Sequence, residues 1–337
     1  MTIQKTFQVC PGTLAKGYDT YSSTCLKYVF NGKKVSPILP YNSPLLDGKD
    51  GETFEANKRR LSISGVQEKF SVIQIKNQIR LTEEGESGTF ILKPIPRDLM
   101  RVDQVPANEH LTMQIAKQVY QIKTAENALV FFQNGGPAYI TKRFDIVDEK
   151  TKWAKEDFAT LANKTSETDG ENYKYNFSYE GIGKLIKTYV PAYRVEMEKF
   201  FSLVVFNYLF SNGDAHLKNF SILETEKGDH ILSPAYDLLN TRIHVNDADF
   251  ALTEGLFDEE YYSDEMKANG WCGRDDFEVF GDRIGLKPQQ IAMLLEPFLK
   301  DQPMVHELIQ NSFLNEETKA LYKDHYLTRL KKLTNTL

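Results

Sequence analysis

Asn212-Gly-Asp-Ala-His-Leu-Lys-Asn-Phe-Ser-Ile-Leu223, then the polar turn Glu226-Lys-Gly-Asp229 and the return His230-Ile-Leu-Ser-Pro-Ala-Tyr-Asp237, is the stretch whose reading decides the fold. It presents Asp214, His216, Lys218, Asn219 and Asp237 between apolar runs expected to be buried. A carboxylate, an amide five positions later and a second carboxylate beyond a hairpin are the groups that phosphoryl transfer needs. The first Asp orients the attacking hydroxyl, and the Asn and the later Asp hold Mg²⁺ against nucleotide phosphates. These residue types are also common in turns, so the stretch has to be weighed against the rest of the chain.

Working upstream, residues 194–210 form the most apolar helical pattern of the chain, with Val195, Met197, Phe200, Phe201, Val204, Val205, Tyr208 and Leu209 at helical spacing. An aromatic stripe of this kind reads as core, and the helix is the buried spine that delivers Asp214. Before it, residues 179–189 read as a helix stopped by Pro191. Residues 164–174 are polar, contain Gly170 and are expected to be a mobile loop.

The first half of the chain reads differently. Residues 1–60 are rich in turn formers (Pro11-Gly12, Asn31-Gly32, Asp47-Gly48) and predict short strands and loops, with a docking surface as one use. Leu61-Ser-Ile-Ser-Gly-Val-Gln-Glu-Lys69 is a loop whose small residues, Ser64, Gly65 and Val66 among them, let backbone N–H groups approach phosphates. The competing reading is a plain turn before the hairpin of residues 70–75 and 79–81. Residues 89–94 predict a strand ending at Lys93, whose ammonium is set either to neutralise phosphate oxygens or to snorkel at a strand end. Asn108-Glu109 is read as the start of an amphipathic helix reaching Tyr120. Glu109 then serves the helix start electrostatically, or positions Lys93 in the ion pair that orients a phosphate-binding lysine. Two strands, 128–132 and 138–144, lead into Lys142-Arg-Phe-Asp145, where backbone groups are candidates to meet an adenine.

Downstream of Asp237 come an irregular acidic stretch (247–264), a turn-rich segment (269–274) and helices over 287–299, 303–313 and 316–333. The fold class expected is α+β, two-lobed and protein-kinase-like, with a β-rich N-terminal lobe over residues 1–147 and a helical C-terminal lobe over 148–337.

Composition narrows the class. A chain of 337 residues with 41% hydrophobic and 12% aromatic residues is able to bury a large core. Its net charge of -6 argues against broad binding to a nucleic-acid backbone, which calls for a basic surplus. Cys10, Cys25 and Cys272 are odd in number and far apart, which fits neither a disulfide framework nor a zinc site. No apolar signal core opens the sequence and no run reaches the length of a membrane span, so the expected location is cytoplasmic, with no membrane contact.

Taken together in chain order, these residues carry a resemblance. Leu61-Ser-Ile-Ser-Gly-Val-Gln-Glu-Lys69, Phe90-Ile-Leu-Lys-Pro94, Asn108-Glu109, Lys142-Arg-Phe-Asp145, Gly213-Asp-Ala-His-Leu-Lys-Asn-Phe220 and Leu232-Ser-Pro-Ala-Tyr-Asp237 resemble the HipA family of bacterial toxin kinases, over roughly residues 55–335. HipA proteins carry a further N-terminal subdomain that this chain is expected to be too short to hold. In that respect, and in the Ser-Ile-Ser-Gly loop, the chain is closer to the HipT branch of HipBST-type toxin–antitoxin modules.

The resemblance implies a Mg²⁺-ATP-dependent serine/threonine protein kinase. In it Lys93 binds ATP phosphates with support from Glu109, the loop with Ser64, Gly65 and Val66 lies over them, and the backbone at Lys142 and Phe144 holds the adenine. HipA has Glu where this chain has Lys142, a departure of little weight if the contact is through backbone. Asp214 is then the catalytic base with His216 beside it, and Asn219 and Asp237 ligate Mg²⁺. Ser62 and Ser64 are the implied autophosphorylation sites, and a phosphate there disfavours nucleotide binding. The implied substrate is a serine on an aminoacyl-tRNA synthetase, the glutamyl enzyme for HipA and the tryptophanyl enzyme for HipT, and the residues do not choose between them. Implied partners are a HipS-like small antitoxin and a HipB-like helix-turn-helix protein, with DNA reached only through the latter.

Two other classes compete. A small-molecule phosphotransferase of the aminoglycoside-kinase type shares Gly-Asp-x-x-x-x-Asn, but a His before that motif would favour it and here the residue is Asn212. A catalytically silent binding module would have lost Lys93, Asp214, Asn219 or Asp237, and all four are present.

Overall fold

The computed structural model describes residues 6–43, 68–97, 99–148 and 151–334. The loop of residues 62–65, with Ser62, Ser64 and Gly65, and the adjoining Val66 lie outside the described residues. The chain divides into two compact units, each drawn from separated segments. The first comprises Met1–Ile115, Ala125–Thr151 and Val305–Lys319, and the second Ala116–Thr124, Lys152–Met304 and Ala320–Leu337. A single cut near residue 147 therefore does not describe the division, because a short piece of each half belongs with the other.

The first unit is built on a five-stranded antiparallel sheet. Its strands are β1 (Phe70–Ile75), β2 (Gln78–Leu81), β3 (Phe90–Lys93), β4 (Asn127–Phe131) and β5 (Pro137–Lys142), in the order β2-β1-β3-β5-β4. Register follows the apolar alternation: Phe70 pairs with Leu92, Leu92 with Ile140, and Ile140 with Ala128, so all four join one buried face. Cys10, Tyr21, Phe30, Val35 and Leu39 from the N-terminal segment cover that face. On β4, Leu129 and Phe131 have the opposite parity, and Phe131 stacks obliquely with Phe7 and Phe313 at 5.1 and 5.6 Å.

The N-terminal segment was expected to hold strands and loops, but it carries a helix, Ser23–Val29, whose first turn is capped by the Ser22 hydroxyl accepting from the Cys25 N–H. About two turns, in 7 residues, give too little periodicity to be read from sequence. The segment also protects the free edge of β4, since Leu129 donates to Pro11, Phe131 donates to Pro37, and Leu39 donates to Phe131.

The second unit is mainly helical. Its centre is the helix Tyr193–Leu209, with Phe200, Phe201, Val205 and Phe206 fully buried. Against it pack the helices Tyr179–Tyr189, Arg274–Arg283 and Pro288–Leu295. Phe201 stacks on Phe280, and Phe200 meets Phe220 and Phe280 edge-on. Gly281 allows the close approach of these helices: a Cβ there would lie 2.7 Å from Ile291 Cγ1. A three-stranded sheet β6-β7-β8 (Lys155–Asp157, Ser221–Glu224, His230–Leu232) carries the expected hairpin plus one strand, β6, too short and charged to announce itself. The helices Asp264–Asn269 and Arg274–Arg283 flank the segment read only as turn-rich. No helix among the described residues is long and apolar enough to cross a membrane. The three cysteines are free thiols and buried.

Candidate active site

In the first unit, strand alternation turns Leu92 into the core cluster and Lys93 to the other face. There Lys93 Nζ donates to Glu109 Oε1 at 2.6 Å, with both side chains about as buried as core residues (4% and 3% exposed). The ammonium also lies 5.4 Å from the centre of the Tyr139 ring, on the strand register opposite. The helix begins at Val105 after a tight turn, not at Asn108, so Glu109 sits in its second turn. The helix-start role considered for Glu109 is thereby corrected: its partner is Lys93 and not the helix terminus. An ion pair this deep is costly to desolvate and persists only where its geometry is tightly matched.

In the second unit, the helix Tyr193–Leu209 ends and the chain turns sharply through Ser211, which takes a left-handed φ of 54°. The next residues are pinned from several directions. Asn212 closes on the helix through its N–H to the Asn207 carbonyl and its amide to Asn207 Oδ1, both at 2.8 Å. The Gly213 N–H donates to Thr241 Oγ1 at 2.8 Å, and the Thr241 hydroxyl lies against Ser211 O and the Asp247 carboxylate. A side chain at position 213 would run into that carboxylate and lie 2.6 Å from the Ala248 carbonyl, which is why glycine stands there. Below this turn Arg329, fully buried, grips Asp249 with both terminal nitrogens (2.6 and 2.5 Å), directs Nε to the Ser211 hydroxyl and lies 4.7 Å from the Tyr208 ring centre.

Asp214 follows, its side chain 48% exposed. Its main chain is fixed by its own loop: the N–H donates to Asn212 Oδ1 at 3.3 Å, and the carbonyl accepts from Asn219 Nδ2 at 2.8 Å. Its carboxylate accepts from the phenol of Tyr175, Oη to Oδ1, at 2.8 Å. His216 Nε2 stands 3.9 Å from the same oxygen, beyond hydrogen-bond reach. Burial drives the His216 imidazole down to about 4, so it is neutral at physiological pH and supports the site by packing, edge-on to Tyr175 at 5.2 Å. The Tyr179 phenol donates to the Ala215 carbonyl at 2.9 Å, completing a loop fixed at nearly every residue.

Asn219 and Asp237 fit the oxygen-ligand chemistry of Mg²⁺. Because Asn219 gives its amide nitrogen to Asp214 O, its amide oxygen points away from that carbonyl as an available donor atom. Asp237 adopts a left-handed φ of 57°, a conformation that Asp tolerates better than most residues and that marks functional backbone. The hairpin return is tied to the Asp214 loop by Tyr236, whose hydroxyl reaches the Lys218 carbonyl at 2.9 Å and the Ser221 hydroxyl at 3.0 Å. The residues preceding Asn219 and Asp237 are thus joined directly. No group of three or more His, Cys, Asp and Glu side chains able to hold a metal occurs among the described residues. A Mg²⁺ shared with nucleotide phosphates needs no such group.

The Lys142–Phe144 segment leaves β5 at its end rather than continuing as strand to residue 144. The Lys142 N–H is already given to the Glu126 carbonyl at 2.7 Å and that of Arg143 to Thr89 at 2.9 Å. An adenine contact at Lys142 therefore has to use something other than that N–H. The Lys142 ammonium turns to Asn31 Oδ1 at 2.6 Å, and partial burial lowers its pKa.

Sequence reading missed three contributors: Tyr175, the Thr241–Asp247 pair and Arg329. Tyr175 directly follows the expected mobile loop of residues 164–174. That loop in fact contains a helical turn, Ser166–Asp169, and Lys174 accepts from the Leu217 N–H at 3.1 Å. No spacing rule links residue 175, 241 or 329 to residue 214, so no signal in a single sequence reveals them.

The model of the HipA-like C-terminal domain matches residues 61–304. A Haemophilus influenzae protein named "Putative kinase" is 28% identical over 309 residues, covering 87% of each chain. The serine/threonine-protein kinase toxin HipA of Shewanella oneidensis is 25% identical over 293 residues, 81% of this chain and 63% of the toxin. Among solved structures, the complex of Shewanella oneidensis HipA with HipB and operator DNA superposes with a TM-score of 0.63 at 22% identity, covering 88% of this chain and 68% of that one. The Helicobacter pylori proinflammatory kinase CtkA gives a TM-score of 0.51 at 17% identity, over 76% of this chain and 91% of that one. The mixed α+β fold thus has HipA-like and CtkA-like kinase neighbours. The chain belongs to the family defined by the HipA-like C-terminal domain, and with it to the HipA-related protein kinases.

Proposed function

We propose that this chain is the toxin component of a bacterial toxin–antitoxin module, a serine/threonine kinase of the HipT kind that uses Mg²⁺-ATP to phosphorylate an aminoacyl-tRNA synthetase. The observation that carries the phosphotransferase reading is the buried Lys93–Glu109 pair at 2.6 Å. An isolated ammonium in that position would be too costly to keep, and its retention makes sense where its charge is needed for phosphates. Asn219 and Asp237 would hold the metal, and bound Mg²⁺ would neutralise charge on the nucleotide phosphates. Asp214 orients the serine hydroxyl and takes its proton as the oxygen bonds to the γ-phosphorus and the bond from that phosphorus to the β,γ-bridging oxygen breaks, with ADP leaving. The Asp214 carboxylate, half exposed on a loop fixed by Asn212, Gly213 and Asn219, is suited to that task. His216, 3.9 Å from the Asp214 carboxylate and edge-on to Tyr175, shapes this loop beside the base.

Control at Ser62 and Ser64, which lie outside the described residues, and pairing with a HipS-like antitoxin and a HipB-like DNA-binding protein belong to the same proposal, supported by the resemblance of the motif set. The Shewanella oneidensis relative was solved with HipB and operator DNA, which supports a partner of that kind.

The test is to incubate the purified chain with Mg²⁺-ATP and bacterial lysate and to map phosphosites by mass spectrometry. The expected result is label on Ser62 or Ser64 and on one synthetase, absent with Asp214→Gln. A wild-type chain, unphosphorylated at Ser62 and Ser64, that neither binds nor turns over ATP would end this reading.

A further inference from the structure

The Asp214 loop is fixed in its main chain, yet very little fixes the carboxylate itself. The groups that hold residue 214 bond its N–H and its carbonyl: Asn212 Oδ1 takes the one, and Asn219 Nδ2 gives to the other. His216 Nε2 is 3.9 Å away, too far for a hydrogen bond. A half-exposed Asp side chain with two free torsions would spend its time among several orientations. Among the described residues, one group bonds the carboxylate: the Tyr175 phenol, 2.8 Å from Oδ1.

Tyr175 is itself well anchored. Its carbonyl accepts from the Thr253 N–H and hydroxyl at 2.9 and 3.2 Å, and its N–H donates to Asn172 at 2.9 Å. The preceding residue, Lys174, receives the Leu217 N–H from the Asp214 loop and places its ammonium 4.9 Å from the Tyr175 ring centre. The ring rests edge-on against His216. Burial and the neighbouring Asp214 charge push the phenol well above its ordinary range, so it remains a donor at any pH at which the protein works.

We propose that Tyr175 is the positioning residue for Asp214: its hydroxyl holds Oδ1 and leaves Oδ2 oriented to receive the proton of the acceptor serine. This rests on the kinase reading above. Tyr175 binds neither nucleotide nor metal in this account, so its loss should alter the transfer step and not the affinity for ATP. A carboxylate that has lost its orientation costs about 10- to 100-fold in rate, the scale of a small misplacement at a reacting centre.

The test compares wild type, Tyr175→Phe and Tyr173→Phe in steady-state transfer of phosphate to a protein acceptor, with the KM for ATP and the thermal midpoint measured alongside. Phe keeps the ring against His216 and removes only the hydroxyl. Tyr173→Phe removes a neighbouring hydroxyl that accepts from Lys218 Nζ at 3.4 Å and does not bond Asp214. The expected result is a fall of about 10- to 100-fold in kcat for Tyr175→Phe with KM for ATP unchanged, and no fall for Tyr173→Phe. Unchanged kcat in Tyr175→Phe refutes the role, and equal losses in both variants assign the effect to the loop as a whole. A rise in kcat refutes it differently, by making the phenol a plug in the acceptor's place. A wild-type chain that transfers no phosphate removes the kinase reading instead, so the two failures are told apart.

Discussion

Arg329 and Asp249 meet through both terminal guanidinium nitrogens and both carboxylate oxygens, at 2.6 and 2.5 Å, beneath the turn that presents Asp214. The same Asp249 also receives Arg242 Nη2 at 2.7 Å, and Arg329 Nε reaches the Ser211 hydroxyl, so the C-terminal helix Glu316–Thr334 is coupled to the Asp214 loop. Replacing Arg329 by Met leaves Asp249 with one partner and removes the bond to Ser211. The expected cost is about 3 kcal/mol, read as a fall of roughly 4 °C in the thermal midpoint. A midpoint within a degree of wild type would show that the turn does not depend on this clasp.

The Lys93–Glu109 pair makes a prediction in two parts. Lys93→Met alone strands a buried carboxylate and should destabilise the chain by about 3–5 kcal/mol. Lys93→Met with Glu109→Leu removes both charges from an apolar setting and should recover most of that stability while leaving phosphoryl transfer abolished. Chemical denaturation reads the first quantity and a transfer assay the second. Activity in the double variant would mean that the pair is structural.

Gly213 is held to its identity by the Asp247 carboxylate and the Ala248 carbonyl. Gly213→Ala forces the Asp214 loop off its hydrogen bond to Thr241 and should cost about 1–3 kcal/mol of stability. Transfer activity should fall by more than tenfold, the scale of a small displacement of Asp214. A crystal structure of the variant with an unmoved loop and full activity would contradict this.

Acid sensitivity should arise partly from two buried imidazoles. Burial lowers His110 and His216 to about 4 in the folded chain, from an ordinary 6.5. Above pH 6.5 neither state is protonated and the stability is fully present. As pH falls from 6.5 toward 4, the unfolded chain takes up protons that the folded chain refuses, and stability is lost, by about 3 kcal/mol for each site. His110, whose Nε2 faces the Gly12 carbonyl at 3.1 Å, is the cleaner probe. Denaturation curves at pH 7 and pH 5 should diverge less for His110→Gln than for wild type. An equal pH dependence would remove His110 from the account.

Residues whose chemistry is written in local order were legible in the sequence. Strands β1, β3 and β5 follow from alternation, the helix Tyr193–Leu209 from its apolar spacing, and the hairpin that carries Asp237 from Lys227-Gly228 between two apolar runs. Lys93 and Glu109 were legible as a pair only because a strand end and a helix turn frame them. The capped helix Ser23–Val29 was lost to its brevity, and β6 to a charged three-residue sequence that pairs because Ser221–Glu224 is there to receive it. Tyr175 and Arg329 were beyond reach for a different reason. They act on the Asp214 turn from 39 and 118 positions away, the latter counted from Ser211, and only tertiary structure brings such residues together. The crossing of residues 305–319 into the first unit is of the same kind.

The central claim is that Asp214 carries the transfer step of an ATP-dependent kinase. The most direct measurement pairs ATP binding with phosphate transfer from γ-labelled ATP to protein, in the wild type and in Asp214→Asn, both free of prior phosphate at Ser62 and Ser64. The account predicts similar ATP affinity in the two proteins and transfer that falls by at least about a thousandfold in the variant. Equal transfer by both proteins, or ATP binding with no transfer by the wild type, would contradict it.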